Sequence, residues 1–77
     1  MALISDAATS WSDPITLTSD EIWQTRYGSV FLTTTANAAP EDGVNLLQGE
    51  GVLIRAGRDV RYRKQGAGEA LIVREAV

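Results

Sequence analysis

Turn residues interrupt this chain so often that no long regular element fits between them. Gly, Asp-Pro, Ser-Asp and the Ala-Asn-Ala-Ala-Pro-Glu-Asp-Gly stretch recur roughly every 8 to 12 residues. The runs left between them are too short for stable helices and the right length for strands. Gly51 to Arg63 shows the pattern best. Val52 to Arg55 is a β-branched and apolar run closed by Ala56-Gly57. Val60 to Arg63 then alternates strictly, with Val60 and Tyr62 on one face and Asp59, Arg61 and Arg63 on the other. The expectation is a hairpin turning at Gly57, since a residue without Cβ takes the positive φ of a tight reversal. A further strand, Glu69 to about Glu75, follows Gly66-Ala67-Gly68.

Earlier in the chain, Ile15-Thr16-Leu17-Thr18 suits a half-buried strand. Thr18-Ser19-Asp20-Glu21 fits a capping box, so a short helix over 20–24 is one reading. The preferred one is a turn at Ser19-Asp20 feeding a strand from Glu21, because Trp23, Thr25 and Tyr27 line up at period two. After a reversal at Gly28, Val30 to Thr35 has apolar residues on both faces and is expected to lie centrally, covered on both sides. Ala36 to Gly43 is long for a hairpin loop and is expected to cross between sheets. Val44 to Leu47 supplies another strand. The sum is an all-β fold of about seven short strands, a small β-sandwich or jelly-roll-like barrel.

Residues 1–13 stand apart. Ser, Thr, Ala and Asp dominate them and no period is present, so they read as a flexible, extended N-terminal arm before a single β domain over 14–77. Leu3, Ile4 and Trp11 are the arm's candidate contact residues. Trp11 either folds back on its own domain or anchors on a neighbouring subunit, where an indole is a favoured hot spot.

A chain of 77 residues sits at the lower end of what folds unaided, and small domains are commonly reinforced by disulfides, metals or association. This one has no Cys and no His, which closes the first route and leaves only a carboxylate cation site for the second. Self-association or docking on a larger body is therefore the expectation. The charges are divided along the chain: residues 1–50 hold seven acids against Arg26 alone, net −6, and residues 51–77 hold six bases against three acids, net +3. Arg55, Arg58, Arg61 and Arg63 form the densest basic group and read as an outward strand face that pairs with acids, either solvated and within the fold or across a protein interface, where Arg is favoured for bidentate contacts. Tyr62 among them could stack on a nucleobase, but the acidic whole (net −3) disfavours a nucleic-acid partner. Without His, Cys or a paired nucleophile and base, no catalytic, cofactor or metal site is read. None of the glycine groups opens a helix after a strand, as a phosphate loop would. No signal peptide or membrane span is read either.

Glu21-Ile22-Trp23-Gln24, Gly28 to Thr34 and Val52 to Arg63 together resemble short β-rich virion proteins of tailed bacteriophages and prophages, over roughly residues 15 to 75. The resemblance implies a non-enzymatic particle component. Its leading form is a head decoration (cement) protein, made in the host cytoplasm, that stabilises the capsid surface as a homotrimer bound to the major capsid protein, with the N-terminal arm gripping the shell. A tail, neck or fibre-tip component is the alternative within the particle. Outside it, the alternative is a small sugar- or ligand-binding β-sandwich, which would need Trp23 and Tyr27 to line an open pocket.

Overall fold

The structure, a computed structural model, describes residues 2–77. Its eight strands are β1 (Ala2–Ile4), β2 (Ile15–Thr16), β3 (Glu21–Tyr27), β4 (Val30–Thr33), β5 (Val44–Leu46), β6 (Gly51–Ile54), β7 (Asp59–Lys64) and β8 (Leu71–Ala76). They form two antiparallel four-stranded sheets, sheet 1 in the order β1-β8-β3-β6 and sheet 2 in the order β2-β7-β4-β5. The fold is thus a small β-sandwich with no helix among the described residues, and the Asp20 region is a turn.

Period-two alternation decides which side chains lie between the sheets. From sheet 1 come Trp23, Thr25, Ile54 and Ile72. From sheet 2 come Val30, Leu32, Leu46, Val60 and Tyr62. Trp23 is fully enclosed, and its ring meets Tyr62 from the opposite sheet at 6.3 Å between centroids, tilted by 47°. The Thr25 hydroxyl is also buried and donates to the Leu46 carbonyl at 3.2 Å, tying the sheets by a hydrogen bond that satisfies a group otherwise costly to bury.

Only β4 and β5 are consecutive strands in one sheet; every other connection passes from one sheet to the other. Two expectations are corrected by this. Gly57 does turn with φ +87°, but β6 and β7 do not pair: β6 lies on β3, whereas β7 lies between β2 and β4. Leu17 holds the turn instead, its N–H donating to Arg58 and its carbonyl accepting from Gly57. Asp20 adds a bond from the Ala56 N–H, and this contact, with Arg55 second, keeps its carboxyl below the ordinary value. Crossing rather than pairing lets Ile54 and Val60 both point into the core from opposite sides. Conversely, the long Ala36 to Gly43 loop is not a crossover but closes the one sequential hairpin, β4–β5.

The described residues of the segment set apart as an extended arm, 2–13, make backbone bonds to the domain. Ala2–Ile4 forms an edge of sheet 1 on β8, and Ala7 reaches the core. The Ala8 carbonyl accepts from Lys64 N–H, and Ser12 N–H donates to Tyr62. β1 is the strand beyond the seven expected; a three-residue strand in a polar segment carries no periodic signal.

Candidate functional site

The chemically capable side chains are mostly engaged inside the chain. On β3, alternation turns Glu21 inward beside Trp23. Its carboxylate receives both the Nε and an Nη of Arg74 at 2.9 Å, and the Trp23 indole N–H at 3.0 Å. This bidentate Arg74 contact holds the Glu21 carboxyl below its ordinary value, against the opposing effect of burial, and raises the Arg74 value in return. Tyr62 donates its hydroxyl to Asp6 at 2.7 Å; burial first and the Asp6 carboxylate second push the phenol up to about 12. These are structural contacts between elements, with no nucleophile beside a base. Among the described residues no three acidic side chains gather as a cation site.

The outer face of sheet 2 is covered by the chain itself. Arg63 projects from β7 and its guanidinium lies 4.0 Å from the Phe31 ring centroid and 5.2 Å from that of Trp11. It also donates to the Pro40 carbonyl, while the Trp11 indole N–H reaches Ala39 at 2.9 Å and Arg61 reaches the Ser12 carbonyl at 3.0 Å. Trp11 therefore takes the first of its two readings and folds back on its own domain, closing the β4–β5 loop onto the sheet. Phe31 is covered as expected for a central strand, by a stacked cation rather than by a second apolar layer.

The outer face of sheet 1 has no such cover. Register places Leu3, Val73, Gln24 and Gly51 in one row across the four strands, and Glu75, Ile22 and Leu53 in the next. A bulge between Thr25 and Tyr27 then shifts the pairing so that Tyr27 faces Leu71. Leu3, Ile22, Tyr27 and Leu53 are each about half exposed. The bulge also breaks the inward series expected of β3: Trp23 and Thr25 are buried, and Tyr27 is turned outward. The two rings thus share no open pocket.

The proposed contact residues are scattered. Leu3 is on the outer face of sheet 1, whereas Ile4 turns inward and packs on the core. Arg55 pairs with Asp20 at 3.1 Å on the surface, and Arg58 is exposed beside it. Arg61 and Arg63 belong to the covered face of sheet 2. Near Arg55 and Arg58 a groove of about 480 Å³ opens between the sheets where β6 forms the edge, lined by Leu32, Val52, Ile54 and Val60 and three successive threonines, Thr33 to Thr35. It contains no acid. The residues of the outer face of sheet 1 that reading the sequence missed are the half-exposed Ile22 and Leu53 and the partly buried Leu71; Val73, in the row beside them, is itself buried. Ile22 was legible as the apolar residue opposite Trp23 on an alternating strand. Leu53 was not, since Val52-Leu53-Ile54 is apolar on both faces.

Models of known protein families, curated proteins and solved structures were compared with the chain, and none matches it.

Proposed function

We propose that this protein is a non-enzymatic structural component of a virion, a decoration protein that binds the major capsid protein on the outside of a head and stabilises it by protein contact. The observation that carries the reading is the contrast between the two outer faces. Sheet 2 is covered by the chain's own Trp11, Ala39 and Pro40, while sheet 1 presents apolar side chains with nothing over them. An apolar face rimmed by charges is the usual mark of a protein partner. The reactive side chains point the same way, since Glu21, Arg74, Tyr62 and Arg63 are consumed by internal bonds. The sugar-binding alternative loses its platform with the burial of Trp23.

The test is sedimentation of the labelled chain with purified heads and, separately, with purified tails from the phage or prophage whose genome encodes it. Saturable co-sedimentation with heads, in fixed proportion to the major capsid protein, is the expected result. Binding to tails alone would move the protein to the tail or neck, and binding to neither would remove it from the particle.

A further inference from the structure

β6 is the end strand of sheet 1 and pairs only with β3, so one of its two backbone edges is free. The bonds on the page fix which groups lie on that edge. Thr25 donates to Glu50 and accepts from Gly49, which turns its backbone groups toward the β6 side, whereas the Asp20 carbonyl accepts from Val77 on the β8 side. Alternation along β3 therefore aims Glu21 and Trp23 at β6, where their register partners are Ile54 and Val52. The N–H and C=O groups of Gly51 and Leu53 point the other way, out of the sheet. Gly51–Ile54 carries neither Pro nor charge, and among the described residues it is the longest of the four end strands, which leaves an edge open to a further strand. The groove of about 480 Å³ runs beside this edge, with Leu32, Ile54 and Val60 beneath it and Val44 on the sheet 2 side. Its lining holds no acid, while Arg58 is exposed at it with no ion-pair partner among the described residues.

We propose that this edge and groove bind an extended acidic peptide segment of a partner protein, which adds to β6 as an antiparallel fifth strand of sheet 1. One occupant then satisfies three separate features. Its backbone pairs with the free groups of Leu53 and Gly51, its alternate apolar side chains enter the groove over Leu32 and Ile54, and its acid supplies the charge that Arg58 lacks. An alkyl carboxylate would meet the arginine and the apolar floor but would leave the Leu53 backbone to water. The direction is set by the strand ladders and the arginines together. Every ladder in the molecule is antiparallel, and Arg55 and Arg58 follow the C-terminal end of β6, so the acid belongs at the N-terminal end of the segment. In such a pair the residue bonded to Leu53 projects on the outer face as Leu53 does, and its two neighbours project into the groove. This site stands independently of the virion reading, since purified protein and peptide decide it without any particle.

The test is an NMR titration of the nitrogen-15-labelled full chain with the capped peptide Asp-Thr-Val-Thr-Val-Thr, in which the valines are placed for the groove and the threonines for the outer face. The amide signals of Gly51 and Leu53 should shift saturably, with a dissociation constant below about 1 mM, as expected of a short added strand. Methylating the threonine amide nitrogens, which face β6, should abolish binding, whereas methylating the valine amide nitrogens, which face away, should leave it within about threefold. Asn in place of the peptide's Asp should weaken binding about fivefold, and Arg58→Glu about tenfold or more. A peptide with Lys in that place should recover binding to the Arg58→Glu protein, which also shows that the variant is folded. No saturable shift up to about 2 mM peptide overturns the proposal. So does equal binding by the threonine-methylated peptide, or a shifted set of signals that omits Gly51 and Leu53. Saturation by sodium decanoate where the peptide fails would make the groove a site for small amphipathic anions instead, and Leu53 signals that move with protein concentration alone would give the edge to a second copy; either result sinks the peptide site.

Discussion

Glu21 is the residue on which the interior polar chemistry turns, since one carboxylate serves Arg74 and the Trp23 indole together. Its value is depressed in the folded protein, so the stabilisation is fully present above the ordinary 4.5 and is lost as pH falls through the folded value. Glu21→Gln should therefore cost about 2 to 3 kcal/mol at neutral pH and remove part of the acid-induced loss of stability below about pH 4.5. That figure lies under the range for a fully buried pair because the Arg74 side chain keeps 24% of its surface in solvent. Urea melts of both proteins from pH 3 to 7 measure it, and parallel curves would contradict the assignment. Tyr62 behaves in the opposite sense. Its value rises from 10.0 to about 12, so its contribution is intact below pH 10 and disappears as pH climbs toward 12. Tyr62→Phe should lose about 1 kcal/mol with the Asp6 hydrogen bond and flatten the alkaline slope above pH 10, read by the same melts.

At the scale of elements, the corners matter more than the ladders, because nearly every connection carries the chain from one sheet to the other. Gly28, between β3 and β4, has φ +77°, and a Cβ there would stand 2.5 Å from the Glu69 carbonyl oxygen on the β7–β8 connection. Gly57 has φ +87° and open space around the same position. Gly28→Ala should cost about 2 to 4 kcal/mol and Gly57→Ala about 1 kcal/mol, the difference being the clash rather than the dihedral. Equal losses in chemical denaturation would mean that the corner is not closed on Glu69. The hairpin read at Gly57 shows where local pattern stops being informative. A Gly turn between two apolar runs states that the chain reverses, and Val60 and Tyr62 were correctly read as one face. It does not state whether the reversal stays in one sheet, because a corner and a hairpin use the same residues. The choice was made by Leu17, forty residues upstream of Gly57, whose backbone takes two of the bonds that hold the turn, and by Asp20, which takes a third.

The whole molecule uses nearly its entire length to close a small core, and its first residues are part of that closure. Removing residues 1–13 would strip the β1 edge from β8, take Ala7 from the core, expose the Trp23–Tyr62 side near Asp6, and uncover Phe31 and Arg63. A loss on the order of 3 kcal/mol or more is expected in urea, where deletion of a detached arm would change stability by no more than about 0.5 kcal/mol. The sequence by itself determined the β class, the presence of seven strands from Ile15 onward, the central place of the strand that begins at Val30, and the shared faces of Trp23 with Thr25 and of Val60 with Tyr62, though not the outward turn of Tyr27. Short runs between turn residues and period-two alternation are local properties, and they survive whatever the strands pair with. Only the tertiary structure decided which strands share a sheet, that Ala2–Ile4 is a strand, that Arg61 and Arg63 turn back onto Ser12 and Pro40, and that Ile22 and Leu53 meet on an uncovered face. Each of these depends on a partner far away in the chain, and no local pattern specifies that partner when so small a core must recruit edges and cover from both ends.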